Sequence, residues 1–399
     1  PHSAYVYYSG VQGADSTADA VLVLEPSGDS HITYLYMNPR STRDTDAFYR
    51  DAKYGELWVG RRFTLDEAKA RYQIDTRHLN ELEALLGDGK ETLTLRNVDP
   101  AVDPKVKKHE REDEFETFVS EQRLCKDEYE IRELQAAVDA TALGFNDVIH
   151  AMPAAVETPR GERVLDAAFY GRARILGNDL GYNTIVGAGS HACVLHWIRN
   201  DGDVRRGELV LVDAGVEVES FYTADITRTL PVDGKFTPAQ RALYMLVYES
   251  QLAGFAAIKP GVLFSEINKA CQAVLAKGLA DMGVLTVSAE ESLKPEVGLH
   301  RRWTLHGVSH HLGLDVHDCA QARKDQYLDA PLREGMVLTV EPGLYIQPDD
   351  ELFAPEYRGI GIRIEDDVVV TADGCRNISE NIPRHPDEIE KWMKSVLGR

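Results

Sequence analysis

The run Leu305-His306-Gly307-Val308-Ser309-His310-His311-Leu312-Gly313-Leu314-Asp315-Val316-His317 carries four of the chain's 13 histidines. Apolar residues alternate with them, and two glycines loosen the backbone. One histidine alone is more often a satisfied core or surface residue than a ligand. Four in so short a run point to a metal site or a proton-handling site, because neutral imidazole is a common metal ligand and titrates near neutral pH.

Acidic residues in apolar surroundings lie on both sides of this run. Asp213 sits in Leu209-Val-Leu-Val-Asp-Ala-Gly and Asp225 in Tyr222-Thr-Ala-Asp-Ile-Thr-Arg-Thr. Glu341 sits in Val337-Leu-Thr-Val-Glu-Pro-Gly and Glu365 in Gly361-Ile-Arg-Ile-Glu-Asp-Asp. Residues 208–228 read as a hairpin. Its first strand places Leu209, Leu211 and Asp213 on one face, and its return strand places Asp225, Thr227 and Thr229 on one face. Residues 337–346 and 359–371 read as two further strands. Any one of these acids could be a salt-bridged surface residue. Four in apolar strands need counter-charge, since buried carboxylates are paired or coordinate metal. Two divalent ions balance four carboxylates. Oxygen-rich ligation with one imidazole favours a hard ion, manganese first, with cobalt or zinc as substitutes. Such a pair supports hydrolysis of an amide or ester, with Glu341 placed to take a proton from water.

A length of 399 residues predicts two domains, 1–120 and 121–399, divided by the charged run 105–116. The first half alternates short apolar runs with helix-like segments, so a mixed α/β class (α+β) is expected. Tyr5–Tyr8 reads as a strand, 21–24 and 32–37 as a hairpin, and 65–70 and 76–86 as helices, Thr76 capping the second. In the second half, a helix over 127–150 ends at Met152-Pro153 and a second runs from 162 to 176. A helix over 238–258 ends at Lys259-Pro-Gly and a second runs from 265 to 282. Gly144-Phe145 and Gly254-Phe255 fall at similar places in the two pairs, which suggests a duplicated half. Residues 183–189 and 191–197 read as strand segments.

A net charge of −21 excludes nucleic acid and anionic membrane as natural partners. No run approaches the about 18 apolar residues of a membrane span. The five cysteines are scattered, without a Cys-x-x-Cys pair, as expected of reduced thiols in a cytoplasm. Cys319 is expected to be a small buried thiol. The chain opens Pro1-His-Ser without Met or a signal peptide, and an upstream segment is expected to be missing.

The motifs Val212-Asp-Ala-Gly, Ala224-Asp-Ile-Thr-Arg-Thr, His306 to His317, Leu338-Thr-Val-Glu-Pro-Gly-Leu-Tyr and Tyr357-Arg-Gly-Ile-Gly-Ile-Arg-Ile-Glu-Asp-Asp occur in this order. Together they resemble the pita-bread metallopeptidases, and within them the proline-specific branch, bacterial aminopeptidase P above prolidase. The likeness covers 127–399 closely. It covers the first domain more loosely, through Tyr7-Tyr-Ser-Gly and Trp58-Val-Gly-Arg-Arg. It implies a creatinase-like α/β domain ahead of a pita-bread catalytic domain. It implies a dinuclear centre on Asp213, Asp225, His310, Glu341 and Glu365, the second and last bridging the ions, with Glu341 also acting on the nucleophilic water. It implies that His306 and His317 hold the scissile carbonyl and proline region, and that His196 reaches in from the loop before the hairpin. Arg363 is implied to face the carboxylates and Tyr345 to line the cleft. The implied substrates are short peptides with proline second, cleaved as a Xaa-Pro aminopeptidase or dipeptidase. The implied assembly is a homo-oligomer, dimer or tetramer. A metal-free creatinase-like enzyme or binding module is the remote alternative; it would be expected to lack some of the five ligands. His311 departs from the apolar or aromatic residue common in relatives, which bears on the shape of the prime side.

Overall fold

A computed structural model of the chain describes residues 1–13, 18–86 and 91–398. It divides into two units, Pro1–Arg123 with Glu219–Phe221, and Leu124–Val218 with Tyr222–Arg399.

In the first unit, the strand expected at Tyr5–Tyr8 is instead a helix, α1 (Ser3–Ser9). His2 Nδ1 accepts from the Ala4 N–H at 3.2 Å, and Gly10 closes the helix in the left-handed region at φ 67°. These two caps outweigh the strand preference of Val6 and its tyrosine neighbours. The expected hairpin is present, β1 (Val21–Ser27) running antiparallel to β2 (Ser30–Met37). Helix α2 (Leu65–Tyr72) starts from a Thr64–Glu67 capping box. The helix expected over 76–86 is split. Its first residues belong to β3 (Asp75–His78), which pairs parallel to β2. Thr76 Oγ1 donates to Leu65 O and caps nothing; only Leu82–Leu86 is α-helical. An open strand edge beside residues 75–78 overrides their helix preference. Within the charged run, Glu112 is buried and grips Arg96 through two bonds of 2.6 and 2.8 Å at the start of α3 (Glu112–Gln122).

The second unit begins with α4 (Glu128–Glu157), capped by Asp127 with Glu130. It does not stop at Met152. Pro153 deprives the Ile149 carbonyl of its helical donor, but it stands in the last turns. There Ala155 is buried and Thr158 Oγ1 donates to Ala154 O at 2.7 Å. Helix α5 (Gly161–Leu176) follows. Strands β4 (Ile185–Ala188), β5 (Leu209–Ala214) and β6 (Ile226–Pro231) form one antiparallel sheet with β5 central, Asp213 lying opposite Ile185 and Thr227. Residues 191–197 are not a strand; a 3-10 turn, Gly189–Cys193, opens a looped segment between β4 and β5. Helices α6 (Pro238–Ala257) and α7 (Ser265–Asp281) form the second pair. Gly144 and Gly254 do the same work in each pair. A Cβ on Gly144 would meet the Phe169 ring of α5 at 2.5–2.7 Å, and one on Gly254 would meet Cys271 Sγ of α7 at 2.7 Å.

The two later strand regions are each broken in two. β7 (Val337–Val340) and β8 (Gly343–Tyr345) flank Glu341-Pro342, and β9 (Gly361–Arg363) and β10 (Asp366–Val370) flank Ile364-Glu365. Pro342 has no N–H to continue a ladder. β10 lies between β7 and β11 (Cys375–Asn377), and β8 pairs with β9. Where the breaks occur the sheets meet: the Glu365 N–H donates to Thr227 O at 3.1 Å, joining β6 to the 365 break. Gln251, fully buried on α6, reaches the same place, its Nε2 donating to Val340 O, Ile364 O and Asp366 Oδ2. Among the described residues no helix is long and apolar enough to cross a membrane.

Candidate metal centre

Asp213 at the end of β5, Asp225 just before β6, Glu341 and Glu365 at the two strand breaks, and His310 converge in the second unit. Segment 308–311 lies beside β7, held by Glu341 N–H to Val308 O at 2.8 Å and Thr339 N–H to His310 O at 3.0 Å. Asp225, His310 and Glu365 each offer a ligand atom, all within 4.8 Å of one another. His310 Nε2 stands 3.3 Å from Asp225 Oδ2 and 3.8 Å from Glu341 Oε1. Asp213, Asp225 and Glu365 are buried, and Glu341 nearly so.

Counter-charge is short. Arg363 binds Asp213 Oδ2 through Nη2 at 2.5 Å, and among the described residues His310 is the other cation in reach. The remaining acids respond as physics requires. Burial, reinforced by Asp225, Glu341 and Asp213, holds Glu365 well above the carboxylate range. Burial likewise pushes Glu341 up to about 8 and raises Asp225. His310 would be lowered by its burial, but Asp225 and Glu341 outweigh this and raise it to about 9. Tyr182 Oη lies 2.5 Å from Asp213 Oδ1 and 2.6 Å from Asp225 Oδ1. One hydroxyl hydrogen cannot serve two carboxylates; the pair lacks positive charge between them. A buried oxygen-rich donor set with one imidazole and too few cations fits divalent metal ions.

Beside the acids runs a second network. Arg363 Nη1 donates to Tyr345 Oη at 3.0 Å, and Tyr345 Oη lies 2.7 Å from His306 Nε2. His306 Nδ1 lies 2.8 Å from Gly307 O and 3.5 Å from Glu341 Oε2. A hydrogen on Nδ1 given to Gly307 O leaves Nε2 free to accept from Tyr345. Burial, then the Arg363 charge, lowers His306 to about 4 and keeps it neutral. His317 packs edge-on to His310 with ring centroids 4.4 Å apart. His196 is exposed on the β4–β5 segment, close enough to His306 and His317 to disfavour their protonation. All ten residues singled out from the sequence therefore lie in this one region.

His311 does not face it. It is buried, stacks on Phe264 at 5.5 Å and packs against Tyr327, so its substitution alters the core behind His310 rather than a cleft wall. Cys319 is buried, as expected. Three participants were not foreseen. Tyr182 is one of 17 tyrosines, with nothing in its local sequence to mark it. Thr227 Oγ1 donates to Glu365 Oε2 at 2.7 Å. Arg228 is fully buried, its guanidinium donating to Glu365 O, Thr227 O, Ile382 O, Pro383 O and Asp366 Oδ1. Both lie inside the Asp225 motif, which flagged the stretch but not their tasks.

Residues 132–372 match Metallopeptidase family M24, and residues 1–95 match the aminopeptidase P N-terminal domain. The chain belongs to metallopeptidase family M24. It is 49% identical to Xaa-Pro aminopeptidase 1 of Streptomyces coelicolor, over 99% of this chain and 79% of that protein. It is 34% identical to Xaa-Pro aminopeptidase of Escherichia coli, over 98% of this chain and 88% of that one. Among solved structures, aminopeptidase PepP of Pseudomonas aeruginosa superposes with a TM-score of 0.85 at 30% identity, covering 100% of this chain and 90% of that one. Zinc-substituted E. coli aminopeptidase P in complex with product gives 0.84 at 33%, covering 99% and 89%. The second unit carries the family's pita-bread fold.

Proposed function

We propose that this M24 peptidase is a Xaa-Pro aminopeptidase that releases the N-terminal residue from short peptides with proline second. Two divalent ions, manganese the expected pair, would be held by Asp213, Asp225, His310, Glu341 and Glu365. The observation that carries this reading is the convergence of four under-compensated acids with His310, in a chain 49% identical to a protein named Xaa-Pro aminopeptidase 1.

When bound, the ions supply Lewis-acid polarisation and water activation near neutral pH. The protein's own groups do the rest. Glu341, 3.5 Å from His306 and 3.8 Å from His310, accepts the proton of the attacking water and passes it to the departing nitrogen. Neutral His306, its ring set by Tyr345 and Gly307, packs against the substrate carbonyl region. His317 and His196, both exposed, hold the proline side. A prolyl amide has no N–H and a fixed ring, so a site walled by imidazoles and Tyr345 needs no acceptor for that nitrogen. Arg363 pairs with Asp213 and orients Tyr345.

Metal-stripped protein reconstituted with manganese, assayed on Gly-Pro-Ala, Gly-Pro and Gly-Ala-Ala, tests this. Glycine release from Gly-Pro-Ala and not from Gly-Ala-Ala is expected. Cleavage of Gly-Pro alone would make it a dipeptidase. No metal-dependent cleavage of any of the three would refute the reading.

A further inference from the structure

His196 has to be held over the cleft by a segment without strand or α-helix. Residues 189–202 form a 3-10 turn, short turns and bends, and Val194, His196, Ile198 and Arg199 are exposed. Such a segment needs an anchor that its own backbone does not supply.

Asn200 ties the far end to β4 and Gln347 donates to Cys193 O, but one carboxylate gathers both ends and the middle. Glu162 lies in the first turn of α5, where the helix dipole favours negative charge, and its side chain is 0% exposed. Its Oε1 accepts from Ala188 N–H at 2.8 Å and lies 2.8 Å from His191 Nδ1. Its Oε2 accepts from Trp197 Nε1–H at 2.8 Å and Gly202 N–H at 2.6 Å. The four partners are the two ends of the segment and two side chains from its middle. A carboxylate has about four acceptor positions, and all are used. Nothing else in the set competes for them.

The two side chains are also locked to each other. His191 stacks on the Trp197 indole with ring centroids 3.9 Å apart and planes 27° apart. The approach of the far end requires glycine, because a Cβ on Gly202 would run into the His191 ring. Trp197 follows His196 directly, so fixing the indole fixes the backbone from which the neighbouring imidazole projects.

We infer that Glu162 is a positioning residue for the proposed reaction: by gathering Ala188, His191, Trp197 and Gly202 it holds the segment that presents His196 to the substrate. This rests on the Xaa-Pro aminopeptidase reading for the role of His196, but not for the anchoring.

Glu162→Gln tests it in the manganese-loaded full chain. The amide turns an NH2 toward two donors and so releases one side of the segment. Three readouts are combined. Trypsin cleavage after Arg199, followed by mass spectrometry, is expected to accelerate. On Gly-Pro-Ala, kcat is expected to fall roughly 10- to 100-fold, with the same division between kcat and KM as His196→Ala. In the His196→Ala background, Glu162→Gln is expected to add little further loss, with metal content unchanged. Trp197→Phe removes one donor and keeps the ring, and is expected to give a milder loss of the same kind, which covers poor folding of Glu162→Gln.

Unchanged proteolysis at Arg199 in both variants would overturn the anchoring. Losses that multiply in the double variant, or lost metal, would overturn the route through His196. Wild-type turnover by His196→Ala would overturn that route while leaving the peptidase reading intact. A wild-type protein that cleaves nothing, with Arg199 still exposed by Glu162→Gln, would sink the peptidase reading and the role in catalysis, and leave the anchor standing.

Discussion

Arg228→Met should do two things at once. In the native protein this guanidinium is fully buried and donates five bonds of 2.7–2.8 Å, to Asp366 and to the carbonyls of Thr227, Glu365, Ile382 and Pro383. Methionine matches the stem and removes the charge. Asp366 stays buried, with Arg384 3.7 Å away and bonds from Ser379 and Gln251, but without its direct counter-ion. Breaking a buried pair on one side costs about 3–5 kcal/mol, which for a unit of this size lowers Tm by roughly 6–20 °C. The second effect is local. Thr227 and Glu365 lose the clamp on their carbonyls, and loosening groups that orient metal ligands costs about 10- to 100-fold in metal affinity. Calorimetry of the metal-loaded protein reads the first effect, and competition with a chromogenic chelator reads the second. Arg228→Met/Asp366→Leu should recover part of the lost Tm, since no charge is then left unpaired. A single-variant Tm within the range of an ordinary surface substitution, about 0.5 kcal/mol, would show that Arg228 is not the counter-charge of Asp366.

Glu341→Gln should lower kcat on Gly-Pro-Ala by about 10²–10⁴-fold, the span for loss of a general base; elemental analysis is needed alongside, and full activity in a metal-replete variant would exclude Glu341 as proton acceptor. In chelated protein, Glu341 and His310 are raised to about 8 and about 9, so the folded state holds more protons than the unfolded state above their ordinary values. Stability of the metal-free form should therefore fall as pH rises from about 5 to 9, a trend that differential scanning fluorimetry would fail to find if the acids were already compensated. Metal loading should release protons in the same window, measurable by titration calorimetry in buffers of different ionisation enthalpy. Gly144→Ala should destabilise despite alanine's helical advantage of about 0.5–1 kcal/mol, because the Cβ meets the Phe169 ring at 2.5–2.7 Å and overpacking costs about 1–3 kcal/mol; a raised Tm would mean the ring moves aside freely.

Asp213 and Glu341 were legible because each stands alone in an apolar run, where a charge without a partner is expensive; Asp225 and Glu365 have polar or charged neighbours and were legible only as further strand carboxylates beside them. The histidine run was legible from density. The elements that carry them were read correctly where periodicity is long, as in α4 to α7, and poorly where short-range and long-range forces compete. Residues 75–78 look helical in isolation, yet the edge of β2 takes them. Tyr5–Tyr8 looks extended, yet His2 and Gly10 cap it as a helix. Pro153 looks like a stop, yet α4 runs past it. The strands bearing Glu341 and Glu365 were expected to be continuous, and the breaks that release these carboxylates from the pleat were not seen. Tyr182 and Glu162 were invisible for a different reason: each acts through partners distant in sequence, and neither has local neighbours that betray the task.

The bridge between Thr227 and Glu365 has a kinetic consequence. It closes a chain separation of 138 residues with a backbone contact at the point where the centre forms. Contacts of that span form only after the intervening chain has collapsed, since loop closure must precede the interactions that reward it. In a refolding experiment helical signal from α4 to α7 should return early, and tight metal uptake should lag behind it. A dye-displaced metal signal would then serve as a clock for the last docking step of the second unit.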